Sequence, residues 1–353
     1  MNDLEHPVDS LILGQGLAGT LLSFRMLQAG VDHRVIDRGH QQASSNVAAG
    51  IVNTVTGRRF VKAWKIDELL KGLSVYQDLE KLLNVELLSK ITVYRDLSEV
   101  SALNQWDMRR SSEDYSSFMG KPKADLQLPA TVPKIVGPTL KAAQVNLREL
   151  IIAYRLFLQE KGWLIEAELN IDNATKHKDV WQIGGFAAKR IIDCTGAAAR
   201  SSVTWHKLPW RGTKGEAFRF SLKEMPRDMA IKMRHFICPV GTTDEVWLGA
   251  TNQDHFERET PSHYGEEHIR AQASAFGITI PKNYEHLAAV RPTVKDRRPL
   301  VGQHPTKSGL WICNGFGTKG TSLGPYCTAN LLLSMLRKQS LDPEIDIANR
   351  FYV

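Results

Sequence analysis

The first clear pattern in the chain is an apolar run that stops at a glycine-rich turn. In "LILGQGLAGTLLSFRMLQAG" the apolar run ends at Gly14, and apolar residues then recur at helical spacing from Leu17 to Leu27. This pattern predicts a strand, a tight turn and a helix that ends at Gly30. The next apolar run, "HRVID", predicts a second strand that ends at Asp37.

Helical and strand-like patterns follow one another along the rest of the chain. Apolar spacing predicts a helix over 65–83 and another within "NLRELIIAYRLFLQEKG". Short apolar runs predict strands at "ITVYRD", "DLQLPATVPKIVG", "WLIEAEL", "EAFRFSL", "HFICPV" and "VWLGAT", with the stretch 204–285 strand-rich. The last segment, "GLWICNGFGTKGTSLGPYCTANLLLSMLRK", has the pattern of a strand, a glycine loop and a helix.

The first turn has the G-x-G-x-x-G spacing of a dinucleotide-binding loop. Gly14 permits the tight turn, Gly16 lets the backbone approach a pyrophosphate, and Gly19 lets the helix pack close to the strand. The phosphates then lie at the helix N-terminus, where free N–H groups favour negative charge. Asp37 follows about 20 residues later, where a carboxylate can accept ribose hydroxyls. The spacing alone does not separate NAD from FAD, and a glycine turn without a ligand is the alternative.

Dinucleotide-type segments occur at the start, the middle and the end of the chain, and two strand-rich stretches separate them. We therefore predict an α/β fold with a discontinuous, Rossmann-like FAD-binding domain over 1–85, 140–205 and 285–353. An inserted, antiparallel β-rich substrate domain is expected over 86–139 and 206–284. The interruption favours FAD, because a simple NAD dehydrogenase normally keeps its cofactor half contiguous.

Composition is that of an ordinary soluble enzyme, with 42% hydrophobic and 24% charged residues in 353. No apolar run reaches membrane-spanning length and the start lacks a signal-peptide pattern, so we expect a cytoplasmic protein without a membrane span. The four cysteines form no C-x-x-C pair, which favours buried small residues over a metal site. They are Cys194, Cys238, Cys313 and Cys327.

The formal net charge of +7 is spread along the chain. Such residues usually form a solvated face, but the excess favours an anionic substrate over a cationic one. A nucleic-acid partner stays open, although no recognised binding motif accompanies the charge.

Five segments, in order, resemble the D-amino-acid oxidase and glycine oxidase superfamily of FAD-dependent amine oxidoreductases. They are "GQGLAG" with Asp37, "ASSNVAAGIV", "RIIDCTGAAAR", "AVRPTVKDRRPLVG" and "GFGTKGTSLGP". The resemblance covers nearly the whole chain, although a Glu is more usual than Asp at position 37. It implies FAD, bound by Gly14, Gly16, Leu17, Ala18, Gly19, Asp37, Arg38, Ser44, Ser45, Ala49, Gly50, Ile51, Thr195, Gly196, Gly317, Thr318, Lys319, Gly320 and Thr321.

The same resemblance implies two catalytic residues, Arg291 and Lys319. Arg291 matches the family's arginine near the flavin and the substrate carboxylate, and a planar guanidinium can hold a carboxylate by two hydrogen bonds. A structural pair between Arg291 and Asp296 is the alternative. The amides of Lys319, Gly320 and Thr321, at a helix N-terminus, are expected to stabilise negative charge on the reduced flavin.

The implied function is oxidation of the C–N bond of an amino acid or related acidic amine by hydride transfer to flavin N5. The electron acceptor is O2 or another molecule. Where the family often has a tyrosine that holds a carboxylate, this chain offers only Phe236 or Cys238.

Several residues follow the Ala49-Gly50 pair closely in sequence, and the basic ones among them have two interpretations. They bind a second acidic group of the substrate, or they face solvent. The residues concerned are Thr56, Arg58, Arg59, Lys62 and Trp64.

Three alternative functions remain at this point. A tRNA wobble-uridine modification enzyme has a similar FAD domain, and a non-catalytic flavin-binding protein or an NAD-dependent dehydrogenase would share some of the motifs.

Overall fold

The chain folds around two large β-sheets, as seen in a computed structural model that describes residues 7–39, 43–124, 126, 134–223 and 225–352. The strands are β1 (Val8–Leu13), β2 (His33–Asp37), β3 (Ile51–Val52), β4 (Val55–Thr56), β5 (Val61–Lys62), β6 (Leu88–Asp96), β7 (Lys123–Ala124), β8 (Ile135–Val145), β9 (Leu164–Glu166), β10 (Thr175–His177), β11 (Val180–Ile183), β12 (Phe186–Asp193), β13 (Thr213–Ser221), β14 (Met229–Lys232), β15 (Phe236–Pro239), β16 (Glu245–Gly249), β17 (Tyr284–Arg291), β18 (Leu300–Gln303) and β19 (Leu310–Asn314). The helices are α1 (Leu17–Gln28), α2 (Ser44–Val47), α3 (Ile66–Gly72), α4 (Ser74–Leu83), α5 (Val100–Arg110), α6 (Glu113–Ser116), α7 (Leu147–Glu160), α8 (His263–Ala275), α9 (Gly320–Met335) and α10 (Ile347–Phe351), with 3₁₀ turns at Ile171–Asn173 and Gly196–Ser201.

The first sheet has a parallel centre. Its order is β10-β11-β12-β1-β2-β9, with β19 also paired to β12 and β18 paired to β19. In parallel register Leu13 at the end of β1 lies beside Ile36 of β2 and Asp193 of β12. The carboxyl ends of these strands therefore meet at one edge, which is where ligands bind in open α/β sheets.

The second sheet has the order β17-β13-β16-β15-β14-β6-β8-β3, with β7 beside β8. Its pairs are antiparallel except β14 with β6. The predicted α/β class, with a Rossmann-like part and an antiparallel β-rich part, is confirmed. The domain boundaries stay a prediction, and strand pairing puts both β3 and β17 in the second sheet.

Several elements differ from their predicted extent. The helix predicted over 65–83 is two helices, α3 and α4, which meet at Leu73. Helix α8 interrupts a stretch that we expected to be strand-rich. In "DLQLPATVPKIVG" residues 125 and 127–133 lie outside the described residues, and β8 begins at Ile135.

Two expectations from composition can be compared with the structure. All four cysteines are free and buried, as predicted. No helix in the described part of the chain combines the length and the apolarity that crossing a membrane requires.

The turn between β1 and α1 brings the helix into very close contact with the strand. Gly14 has a φ of +94°, and a Cβ added to Gly19 would lie 1.9 Å from the carbonyl oxygen of Gly14. Only a glycine at position 19 allows this approach. The predicted packing role of Gly19 thus has a geometric basis.

We expect Gly19→Ala to destabilise the protein by about 1–3 kcal/mol, because the added methyl group must push α1 off β1. Thermal unfolding of the protein after removal of any bound FAD measures this effect. The matched control is Gly16→Ala, whose Cβ would meet nothing closer than Ser45 Oγ at 3.5 Å. Equal unfolding temperatures for the two variants would contradict the packing argument.

Candidate active site

A cavity of about 1230 Å³ opens at the carboxyl ends of β1, β2 and β12 and extends to the second sheet. Pockets for one small ligand usually have about 300–1,000 Å³. This cavity therefore has room for a cofactor together with a substrate. All predicted cofactor-binding residues except Gly19 line it, and so do Arg291 and Lys319.

The N-terminus of α1 lies at one end of the cavity. Gly16 is the N-cap with a φ of −74°, and the nearest atom to an added Cβ is Ser45 Oγ at 3.5 Å. The protein's own packing therefore does not require glycine here. The N–H of Leu17 donates to Ser45 Oγ at 3.0 Å, so α2 caps α1. This glycine cradle at a helix N-terminus fits a dinucleotide pyrophosphate.

Asp37 holds the glycine turn in place. Its carboxylate accepts hydrogen bonds from the N–H of Gln15 at 2.7 Å, the N–H of Gly39 at 2.7 Å and the guanidinium of Arg155 at 2.9 Å. A carboxylate can accept about four hydrogen bonds, so one position is left for a ligand. The assignment of Asp37 to a ribose stays a prediction.

The Ala49-Gly50 pair is fixed from the second sheet. Gln144 donates to the carbonyl of Ala49 at 2.9 Å. Gly50 has a φ of +71°, and a Cβ there would lie 1.8 Å from the carbonyl oxygen of Val145. The backbone approach that requires this glycine is thus to β8.

The turn after β12 depends on a buried carboxylate. Asp193 accepts hydrogen bonds from the N–H of Thr195 at 2.9 Å, from its hydroxyl at 2.6 Å and from the indole of Trp205 at 2.8 Å. Burial raises the pKa of Asp193, against the lowering effect of these hydrogen bonds. Asn314 donates to the carbonyl of Gly196 at 3.0 Å and ties the turn to β19.

The loop before α9 differs in one detail from the prediction. The N–H of Lys319 already donates to the carbonyl of Phe316 at 3.0 Å, so this amide is not free for a ligand. The N–H groups of Gly320 and Thr321 stand in the first turn of α9, ahead of the first helical hydrogen bonds. Burial lowers the pKa of the Lys319 ammonium, and nearby arginines lower it further.

Arg291 ends β17 and lies against the neighbouring strand. Its guanidinium donates to the carbonyl of Thr251 at 3.2 and 3.3 Å, and a Cβ added to Gly215 would lie 2.0 Å from it. The alternative pair with Asp296 is wrong, because Asp296 binds Arg350 at 2.6 Å. Among the described residues no carboxylate forms a salt bridge with Arg291. Burial lowers its pKa to about 10.

The cavity lining includes some of the residues that the sequence left open and not others, and their roles toward a substrate stay predictions. Phe236 lines the cavity and Cys238 does not. Of the basic segment after the Ala-Gly pair, Thr56 and Arg58 line it. Arg59, Lys62 and Trp64 do not.

Four cavity cations, Arg95, Arg200, Lys232 and Arg234, were missed by the sequence analysis. The only signal for Arg95 and Lys232 was a basic residue in each of two largely apolar strand segments, "ITVYRD" and "MAIKM".

Among curated proteins the chain is similar to an uncharacterized oxidoreductase, YurR, of Bacillus subtilis. The two are 25% identical over 374 residues, which covers 96% of each. A tRNA 5-methylaminomethyl-2-thiouridine biosynthesis bifunctional protein, MnmC, of Caulobacter sp. is 22% identical over 342 residues. That match covers 92% of this chain and 54% of the relative, so the chain spans about half the length of that protein.

Solved structures with a similar fold include two oxidases. Glycine oxidase of Geobacillus kaustophilus has a TM-score of 0.78 at 16% identity and covers 97% of both chains. Iminodiacetate oxidase of Chelativorans sp. BNC1 has a TM-score of 0.76 at 19% identity, over 97% of this chain and 98% of that one.

The family described as FAD dependent oxidoreductase matches residues 9–332. This range holds both sheets and the glycine cradle at α1. The chain therefore belongs to the FAD-dependent oxidoreductase family of the D-amino-acid oxidase type, and its cofactor is FAD.

Proposed function

We propose that the protein oxidises the C–N bond of a small amine that carries a carboxylate. The observation that carries this proposal is Arg291, a mostly buried guanidinium that lines the cavity and has no carboxylate partner in the described part of the chain. A buried cation of this kind is stabilised by an anionic ligand. Because the family binds FAD, the NAD-dependent dehydrogenase that the sequence left open is excluded.

The proposed site residues divide between cofactor and substrate. We assign the pyrophosphate to the N-terminus of α1 at Gly16, the ribose to Asp37, and the flavin pyrimidine to the amides of Gly320 and Thr321 with the Lys319 ammonium nearby. We also keep the domain division predicted from the sequence as a proposal.

Arg291 orients the substrate. Gly215 leaves room for its guanidinium, and the carbonyl of Thr251 holds the guanidinium in place, so its remaining N–H groups can grip a carboxylate. FAD, when bound, supplies the acceptor for the hydride that the substrate carbon loses. The nitrogen must react as the free amine, and the positive charge of the cavity lowers the pKa of a bound ammonium group. Water then hydrolyses the resulting imine.

Two structurally similar proteins, glycine oxidase and iminodiacetate oxidase, are named for substrates that are amines with a carboxylate, which supports this substrate class. A screen of amines with the holoenzyme under anaerobic conditions tests the function, because bleaching of the bound flavin reports its reduction whatever the final acceptor. We expect bleaching by an acidic amine. Bleaching only by amines without an acid group would contradict the proposal, and a protein that no amine reduces would be a flavin-binding protein without this activity.

A second candidate is oxidation of a modified wobble uridine in tRNA. The specific observation is the similarity to the MnmC protein of Caulobacter sp., although the chain spans only about half of that protein. The net charge of +7 is compatible with it. Binding of tRNA that weakens steeply with salt, together with flavin reduction by the tRNA, would favour this candidate over a free small molecule.

We expect Gly16→Val to lose bound FAD while the protein stays folded. A Cβ at position 16 meets no protein atom closer than Ser45 Oγ at 3.5 Å, and the valine side chain occupies the path of the pyrophosphate. Flavin content after purification and the unfolding temperature of the cofactor-free protein measure the two effects. Stoichiometric FAD in the folded variant would contradict the assignment.

We expect Arg291→Ala to slow flavin reduction, because a charged hydrogen-bond pair at the reacting end is lost. The apparent activation free energy should rise by about 2–4 kcal/mol. Arg291→Lys should retain part of the rate, since it keeps the charge without the planar grip. The measurement is the rate of reduction per bound flavin at saturating substrate. Arg258→Ala, at an exposed arginine outside the cavity, is the control. Wild-type rates per flavin in Arg291→Ala would remove this residue from the substrate site.

We expect Lys319→Ala to bind FAD and to lower its reduction potential modestly, because the reduced flavin loses a nearby positive charge. A redox titration against a reference dye measures the shift. Lys295→Ala, at an exposed lysine outside the cavity, should leave the potential unchanged. Equal potentials for Lys319→Ala and the wild type would leave Lys319 without an electrostatic role.

A further inference from the structure

The residues that line the cavity carry more positive than negative charge. Among the described residues each carboxylate that lines it has an arginine partner, and the pairs are Asp37 with Arg155, Glu168 with Arg38, and Glu259 with Arg200. Six other cations line it without a carboxylate partner among the described residues. They are Arg58, Arg95, Lys232, Arg234, Arg291 and Lys319.

Two of these six, a buried arginine and a partly buried lysine, stand on neighbouring strands of the second sheet. Lys232 of β14 pairs in register with Arg95 of β6. Burial and, to a smaller extent, the nearby Arg95 charge together lower the pKa of Lys232 to about 8. Burial also lowers the pKa of Arg95 to about 10. Two like charges held together away from water are unfavourable unless an anion joins them.

Both cations are oriented by backbone carbonyls and keep donors free. Arg95 donates to the carbonyls of Val55 at 3.3 Å and Gly57 at 2.9 Å, which uses two of its five N–H groups. Lys232 donates to the carbonyl of Arg234 at 2.7 Å, which uses one of its three. Five N–H donors therefore remain on this pair, which is enough for the oxygens of one carboxylate or phosphate.

This pair is separate from the anchor at Arg291. The guanidinium of Arg291 lies against Gly215 on β13, and β14 is three strands away from β13 in the sheet. The ammonium of Lys232 leans back over the ring of Phe236 on β15, 4.4 Å from its centroid. With strands about 4.8 Å apart, the two cationic positions are separated by roughly 10–14 Å.

The cofactor does not account for the pair. Its pyrophosphate is assigned to the N-terminus of α1, which belongs to the first sheet, whereas Arg95 and Lys232 project from the second. We therefore look to the substrate for the anion that pairs with Arg95 and Lys232 in the cavity.

We propose that Lys232 and Arg95 bind a second anionic group of the substrate, a carboxylate or a phosphate, at the end of the molecule opposite to the carboxylate held by Arg291. The substrate class is thus an amine with two acidic ends roughly 10–14 Å apart. This inference rests on the proposed function, because it takes Arg291 as the first anchor.

The test uses ligands that cannot be oxidised. Straight-chain dicarboxylates from succinate to sebacate are titrated into the holoenzyme, each beside its own monoamide, and the shift in flavin absorbance gives the dissociation constant. The monoamide has the same length but lacks the second charge. A third series, with a phosphonate in place of the second carboxylate, distinguishes the two anions.

For the long diacids or phosphonates we expect binding about tenfold tighter than for the matched monoamides, and no such advantage at the length of succinate. Lys232→Met should abolish the advantage and leave monoamide binding unchanged. Lys90→Met, at an exposed lysine on the same strand as Arg95, should change neither.

The outcomes separate the two proposals. Equal affinities for diacid, phosphonate and monoamide at every length in the wild type would overturn the second anion site and leave the role of Arg291 standing. An advantage that persists in Lys232→Met would overturn the assignment to Lys232. If no ligand of any series bound, both proposals would be overturned. If Lys232→Met does not fold, the comparison of diacid with monoamide in the wild type still decides the question.

Discussion

The contact of α1 with β1 determines where the cofactor end of the cavity lies. Because the carbonyl oxygen of Gly14 occupies the space of a side chain at Gly19, the helix starts directly at the carboxyl edge of the first sheet. The same turn places the N–H of Gln15 on the carboxylate of Asp37, so the ends of β1 and β2 are joined. Ser45 then caps the helix from a separate segment. One close approach thus aligns three parts of the chain around a helix N-terminus.

The second sheet contributes charge, whereas the first contributes a cradle of backbone groups. The cations at Arg291, Arg95 and Lys232 come from strands β17, β6 and β14, and backbone carbonyls orient all three. Carbonyls hold a guanidinium or ammonium in position without neutralising it. The positive potential of this wall is therefore available to a ligand, and it attracts anions into a cavity whose own carboxylates are already paired.

Local patterns predicted the first sheet and the glycine turn, because strand, turn and helix signals there are contiguous. Partners that depend on the sheet order could not be predicted. Arg95 and Lys232 become neighbours only through the parallel pairing of β6 with β14, strands distant in the sequence. Asp296 lies close to Arg291 in sequence, yet it turns to Arg350 near the C-terminus. The amide of Lys319 is taken by a short turn that apolar spacing does not reveal.

The cavity cations would affect both the orientation and the protonation of the proposed amine substrate. A ligand held only at Arg291 can still rotate about that contact, so its reacting C–H samples several directions. A second contact at Lys232 removes this freedom, and fixed orientation of the reacting groups is a large part of enzymatic rate enhancement. In the proposed reaction the free amine is the form that can release a hydride, and the cavity cations that remain unpaired after the acidic ends have bound disfavour the ammonium form. The cations at the two anchors would therefore orient the substrate, while the remaining positive charge of the cavity favours release of the ammonium proton to water.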